Sequence, residues 1–587
     1  MNRADQSHSR KWRGLCLLCA GGLVVLAGCG PKNYKDDADR RVYDIIDRKW
    51  DPEFGAKANY RMGDVAPGPN DIQIERAVPA SGVLTLPYAL ALATAHSSKY
   101  QAEKERLYKA ALDLRLVEHR FETQLFGGGS LLYGNNYQNS PKRPLSNQVV
   151  DDAQAGHTGL SAKHPDSEIV QTEGNIGFNR LLPTGGQVSA VVGAAWADIL
   201  AGRGHQGLNS VFSAAITQPL LRGSDPMIVL DKLTQAERDV LYQIRTFNRF
   251  RKTFAVAVAT EYFRTLEAYD ATRSTQAYEE GRAALHRQVA RLAQVGLVNV
   301  LEVEQVQQDV LRARDDAIIA RRKYEQALDH LKLTLDLPIT AQFQIDVGLL
   351  DALKEHGLPH PDLNLDEAME TALRHRLDMA NHADAVLDAQ RAIYVAADKL
   401  RTDLRLKAEV KTDMQGNRGI WVGPVLDLPL DRVPQQHDYR KALIALEERR
   451  RDYDDRADTV RLEVRDAYSK LLETAERYQV ASEGLAVAQK RLKAASVLLQ
   501  YGQASSRRVL DAQHDLYDAR NVATSMLIEY AIATLDFYRD TEALQVRPDG
   551  MWEGPPNAGL RVGDPKQGPD LPVASVTTGA NNASAIR

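Results

Sequence analysis

The stretch GLVNVLEVEQVQQDVLRARDDA from Gly296 returns 206 residues later as GQASSRRVLDAQHDLYDARNVA from Gly502. At that single offset Val303, Gln307, Asp309, Ala313, Arg314 and Tyr324 fall on Val509, Gln513, Asp515, Ala519, Arg520 and Tyr530. One offset held over such a run marks an internal repeat, and a repeat restricts the possible folds more than composition does. A second pairing, at an offset of 279, sets LTLPYALALA from Leu84 on LNLDEAMETA from Leu363. A third, at 210, sets Pro219 in QPLLRG on Pro429 in LPLDR. The chain therefore reads as two similar units, 83–345 and 346–545, the first carrying roughly seventy extra residues between Ala111 and Pro219.

Each unit contains a long run without proline, Ile228 to Val295 and Gln435 to Tyr501. A continuous helix over either would span roughly 100 Å, far more than a globular helix needs. In the second run Tyr468, Leu471, Ala475, Tyr478, Ala481, Leu485, Ala488, Leu492, Ala495 and Leu499 advance by threes and fours, the seam of a coiled coil. Gly296 and Gly502 stand where the runs stop, and glycine accepts the left-handed backbone that ends a helix. Segments from about Val300 to Leu333 and Arg507 to Tyr538 would then return antiparallel.

Between Phe126 and Leu221 the composition turns to Gly, Asn, Ser and Thr, and EGNIGFNRLL, GGQVSAVVGAAWA and SVFSAAITQPLL alternate partially, as strands around loops do. The counterpart LRLKAEVKTDMQGNRGIWVGPVLDLPL, Leu404 to Leu430, reads as two strands joined at MQGNRG. Each unit is thus expected to run helix, strand, strand, very long helix, turn, returning helix. The surplus, about 127–210, is read as a loop insertion whose stretch from Tyr133 to Ser167 forms an outer loop, with Gly127-Gly128-Gly129 as a bend or loop next to a strand. Leu84 to about Leu125 reads as helix.

Residues 1–28 read as a signal peptide: a basic start, the short apolar run GLCLLCAGGLVVL, then Leu26-Ala27-Gly28 before Cys29. Small residues directly before the cysteine resemble the lipobox of bacterial lipoproteins, in which that cysteine carries acyl chains such as palmitate and becomes residue one. Gly30 follows it where aspartate would favour the inner membrane in the sorting pattern of enteric bacteria, so an outer-membrane destination is expected. Residues 29–82 read as a polar, lipid-anchored linker with a short amphipathic piece at RRVYDIIDRKW, and 546–587 as a flexible Pro/Gly-rich tail. After Cys29 no run of about eighteen apolar residues occurs, so any membrane crossing must use strands of a closed barrel.

A formal charge of −4 gives no support for nucleic-acid binding. No HExxH, paired CxxC outside the signal, Walker loop or GxSxG is present, and the 14 histidines lack ligand spacing, so neither an enzyme nor a cofactor or metal site is expected.

The duplicated helix–strand–strand–helix–helix order, the Pro-Leu after the second strand, and the phrases VGLVNVLEVEQVQ and YGQASSRRVLDAQ resemble the TolC-like outer-membrane efflux protein family, over roughly Leu84 to Leu544. The resemblance implies a mainly α fold with a small β part: a homotrimer giving four strands per chain to a twelve-stranded outer-membrane barrel above a periplasmic coiled-coil tunnel. It also implies partners: a periplasmic adaptor (membrane fusion protein) and, through it, an inner-membrane RND, ABC or MFS pump. Family members export drugs, metals, dyes or, in type I secretion, proteins. Pro219 and Pro429 would mark strand-to-helix corners, and Gly296 and Gly502 the periplasmic tip. Acidic residues just after the tip turns form rings at the tunnel entrance in this family; the matching positions are Glu302 and Asp511. The chain departs from the pattern one turn before Asp511, where Arg508 stands, spaced i, i+3 to pair with it. A periplasmic coiled-coil adaptor or structural lipoprotein is the alternative from another class, since it would share the anchor and the hairpins.

Overall fold

The computed structural model describes residues 31–57, 60–62, 82–136, 167–201, 207–296, 298–356, 364–413, 418–428, 430–501, 503–547 and 551–553. Cys29, Pro429 and Gly502, most of the loop expected at 133–167, and the tail beyond 553 lie outside the described residues.

Helix α1 is Pro31–Lys49, within the expected linker. It is more than a tether, because Val42 and Ile46 are fully buried and Asp39 accepts a hydrogen bond from the Tyr108 hydroxyl. The first unit then runs α2 (Leu86–His96), α3 (Ser98–His119), β1 (Gln124–Asn136), β2 (Ser167–Leu181), β3 (Gln187–Ala201), β4 (Gly207–Pro219), α4 (Asp231–Gln294) and α5 (Val300–Thr334). The second runs α6 (Leu365–His375), α7 (Leu377–Asp398), β5 (Asp403–Asp413), β6 (Arg418–Asp427), α8 (Val433–Gln500) and α9 (Ser506–Asp540).

The repeat holds at the level of single residues. Helices α2 and α6 have 11 residues each, α3 and α7 have 22, and both pairs start 279 apart. Strands β1 and β5 also start 279 apart. Helices α5 and α9 have 35 residues each and start 206 apart. Just beyond them Asp336 and Glu542, again 206 apart, are the two non-glycine residues with positive φ among those described.

The strand count differs from the sequence expectation. Among the described residues the first unit gives four strands and the second two to one antiparallel sheet of order β1-β2-β3-β4-β5-β6, and Val83–Leu84 pairs with Gln344–Ile345 in a separate short parallel sheet. Gly127, Gly128 and Gly129 lie inside β1, paired with Ile176, Asn175 and Gly174, so they are strand and not a bend. The surplus residues between the aligned halves thus include a β2–β3 hairpin inserted between β1 and β4, the counterparts of β5 and β6. The resemblance implied four strands per chain for the barrel, whereas this sheet has six.

Directly opposed residues of an antiparallel ladder point to the same face. One row across all six strands is Leu125, Phe178, Ala190, Ala214, Val410 and Ile420; the row behind it is Gln124, Asn179, Ser189, Ala215, Glu409 and Trp421. The first face also carries Ile176, Val192, Phe212, Ile216, Leu406 and Val422, all exposed. On the second, Lys407 and Lys411 both pair with Glu409, at 3.2 and 2.6 Å. Among the described residues one side of the sheet is mainly apolar and exposed, while the other carries most of the charged side chains, with Trp421 and Val425 exposed among them.

By contacts the chain divides into one unit holding this sheet (Met1–Trp50, Arg106–Ile244, Asn381–Asp454) and a second (Asp51–Glu105, Arg245–Ala380, Asp455–Arg587). In the second, Tyr100 meets Phe247, Phe250 and Phe254 at ring distances of 5.3–5.8 Å. Beside them the Tyr262 hydroxyl donates to the Leu84 carbonyl at 2.9 Å. The expected seam is present here, with Leu471, Ala488 and Ala495 buried and its other positions from Tyr468 to Leu499 partly so. The start of the expected tail is packed: Trp552–Glu553 pairs with Gln545–Val546, and Met551 and Trp552 are buried.

Candidate functional site

At the two hairpin turns, α4 to α5 and α8 to α9, the returning helices open on caps of the same backbone conformation. Gly296 has φ +76°, and its amide donates to the Ala293 carbonyl at 3.0 Å. In the other turn Tyr501 and Gln503 amides donate to the Val497 and Leu498 carbonyls. The caps that open the returning helices, Asn299 (φ −73°, ψ 146°) and Ser505 (φ −75°, ψ 155°), have the same extended backbone 206 residues apart. The Asn299 side chain accepts from the Leu301 amide at 3.1 Å, satisfying one of the unpaired donors of a helix start. No side-chain bond caps at Ser505.

Apolar packing joins the two turns. Leu285 and Val289 of α4, Val306 of α5, Ala495 of α8 and Val509, Leu510 and Ala512 of α9 form one buried cluster. Val303 and Val509, equivalent in the repeat, both lie against it, which is why the alignment kept an apolar residue there.

The charged candidates separate. Glu302 is half-buried, and its Oε2 accepts from the Ser506 hydroxyl at 2.6 Å, so it ties the starts of α5 and α9 together. Asp511 is exposed and pairs with Arg507 at 3.4 Å, one turn away on the same helix. The i, i+3 pair expected between Arg508 and Asp511 is absent: Arg507, at i, i+4, takes that place, and Arg508 is exposed without an ion pair among the described residues. Sequence reasoning missed Ser506, whose role needs the second hairpin in view. Pro219 closes β4 opposite Arg405, before the short turn of helix Pro226–Val229 that precedes α4.

Farther along the hairpins lies a cleft of about 490 Å³ bordered by α4, α8 and α9. Tyr278 stacks on Tyr517 with centroids 4.6 Å apart, and Arg282 donates to the Tyr278 hydroxyl while lying 4.7 Å from its ring. Asp270 accepts from Lys354 Nζ at 2.8 Å and Thr524 Oγ1 at 2.7 Å. Burial alone would raise the Asp270 carboxyl, but these donors outweigh it and hold the group below its ordinary value. Among the described residues no group of three or more His, Cys, Asp or Glu is placed to hold a metal, and no helix is long and apolar enough to cross a membrane.

A family model described as outer membrane efflux protein matches residues 200–335 and 368–535, together more than half of the chain. The chain belongs to the outer membrane efflux protein family. The first matched segment begins at residue 200, so β1 and the β2–β3 hairpin lie almost wholly before it. Solved structures share the fold of this family member at low identity. The Campylobacter jejuni CmeC outer membrane channel is 14% identical with a TM-score of 0.54, the match covering 86% of this chain and 92% of that one. The outer membrane protein VceC of Vibrio cholerae is 14% identical, TM-score 0.52, covering 78% and 95%. The Neisseria gonorrhoeae MtrE outer membrane channel, in its open state, is 13% identical, TM-score 0.54, covering 83% and 96%. No curated protein sequence matches the chain. As a member of this family the chain is an outer-membrane channel protein extending into the periplasm.

Proposed function

We propose that three copies of this chain form the outer-membrane duct of a tripartite efflux or type I secretion assembly. Substrate delivered by an inner-membrane pump through a periplasmic adaptor would pass along it without chemistry at the duct itself. The uncovered apolar face of the sheet carries this reading, because such a face in water is an aggregation hazard and in lipid is the required outer wall of a barrel. A periplasmic adaptor would have no use for it. The joined hairpin turns form the periplasmic entrance, where Glu302, Arg508 and Asp511 stand near the rim, and an acylated Cys29 anchors the mature chain. Three copies of an exposed Asp511 beside Arg507 and Arg508 give an entrance of mixed sign rather than an acidic ring.

Deletion of the gene should raise cellular accumulation of at least one member of a panel of dyes, drugs and metals, and a plasmid copy should restore export. Purified outer membranes should show a heat-sensitive trimer band. No change across the panel, with a monomer extracted by mild detergent, would overturn the duct.

A further inference from the structure

We infer that the inserted hairpin widens the exit: three copies, on the reading above, close a barrel of eighteen strands instead of twelve. The sheet order leaves one edge of β1 and one of β6 without a strand neighbour among the described residues. An open edge cannot remain in hydrocarbon, where each unpaired backbone group costs several kcal/mol. Six strands fall short of the roughly eight that the smallest membrane barrels use, so one copy does not close on itself. The occupant of each edge is therefore a second copy of this chain.

Parity supports the same conclusion. α3 delivers the chain to β1, and β4 hands it back to α4, so the strands between them must be even in number for both helices to leave from the same side of the membrane. Four satisfies this as two does. Because all five ladders are antiparallel, β1 and β6 run in opposite directions, and β6 of one copy meets β1 of the next as a sixth antiparallel ladder. The wall stays apolar across the insertion, since Phe178 and Ala190 of the added hairpin continue the row from Leu125 to Ile420.

The repeat also supplies the register of that seam. Strands β4 and β5 are the copies of β6 and β1 within one chain, and their ladder pairs Ile216 with Ala408. Carried across by the offsets of 210 and 279, this sets Leu426 of one copy opposite Gly129 of the next. Barrel diameter grows roughly linearly with strand number, so the exit is about 1.5-fold wider than a twelve-stranded one. That is the range in which barrels leave an open aqueous lumen.

The test is oxidative cross-linking of the full-length chain in native outer membranes, with Cys16 and Cys19 lost in the signal. The double variant Gly129→Cys with Leu426→Cys should give covalent dimer and trimer and nothing larger. Ile216→Cys with Ala408→Cys should cross-link only within one chain. Imaging of the purified wild-type oligomer from above should count eighteen strands. A ladder ending at dimer, or a ring of twelve with β2 and β3 outside the wall, overturns the inference while leaving a conducting duct intact. Loss of both the oligomer and its conductance in planar bilayers in the wild type would instead sink the duct reading. Should the double variant fail to assemble, the wild-type strand count alone decides.

Discussion

The returning helices and the strands of the two halves show opposite responses to duplication. Helices α5 and α9 keep the same length, the same cap backbone and the same left-handed residue after their ends. The strand regions hold four strands in one half and two in the other. A returning helix packs along its length against partners whose spacing is fixed, so an inserted residue would rotate its buried face by about 100°. An antiparallel sheet imposes no such phase, and a hairpin, adding an even number of strands, leaves the flanking helices on the same side of the sheet.

The largest contrast lies where α2 joins α3 and α6 joins α7. The first joint has Ser97; its equivalent is Arg376, whose side chain is wholly buried and donates to Asp378 and Glu463, with Arg456 bridging the same two carboxylates. Removing one partner of a buried charge network typically costs about 3–5 kcal/mol. Arg376→Ala should lower thermal stability in detergent by that order and Ser97→Ala by less than about 1 kcal/mol. Burial raises the Asp378 carboxyl, but Arg376, Arg249 and Arg456 outweigh it and hold it well below the ordinary range. A depressed carboxylate stabilises above its unfolded pKa, about 3.9, and that contribution is lost as pH falls toward the folded value. Wild-type stability should thus fall below about pH 4, and the fall should be shallower in Arg376→Ala; parallel acid profiles would remove the network from this role.

Next in size is a pair of glycines with identical φ of +76°, Gly185 between β2 and β3 and Gly296 at the hairpin turn. A Cβ on Gly185 would lie 2.3 Å from the Gly223 carbonyl oxygen, whereas one on Gly296 meets nothing within 4 Å. Gly185→Ala should cost about 2–4 kcal/mol by clash and strain together, and Gly296→Ala about 1–2 by strain alone. Equal losses in parallel melts would mean that the β2–β3 turn is not packed as described.

Smaller effects distinguish the two turns. Glu302→Ala removes the acceptor for Ser506 and a carboxylate from a helix start, a loss of about 1–2 kcal/mol. Arg508→Ala should stay within about 0.5 kcal/mol. Asp511→Lys should leave melting nearly unchanged and alter single-channel conductance or ion preference in planar bilayers; unaltered conduction would take Asp511 off the entrance.

The helical half of this fold was legible because apolar spacing, a proline-free run and a glycine stop all agree, and because the repeat supplied a second copy of each. The strands were less so. Gly174, Gly177, Gly193, Ala190 and Ala194 line β2 and β3, and small residues give little alternation to read. The GGQVSAVVGAAWA piece was visible as strand-like, but the repeat itself argued for two strands per half and concealed the other two. At the turns the spacing identified Glu302 and Asp511, whereas the Ser506 contact links segments 204 residues apart and has no local signal.

The left-handed residues after α5 and α9 have a further meaning. A left-handed backbone at a residue other than glycine costs about 1–2 kcal/mol, which glycine would avoid. Both copies keep a carboxylate there nonetheless: Asp336 accepts from the Ser98 amide, and Glu542 from Arg249 and Lys252. The side-chain partners differ, but the backbone closes the two helices alike: the Asp336 and Glu542 amides donate to the Leu333 and Arg539 carbonyls, and the Lys332 and Tyr538 carbonyls accept from the Leu337 and Leu544 amides. The end of the returning helix is thus set by its main chain, which leaves each carboxylate free to serve a different neighbour.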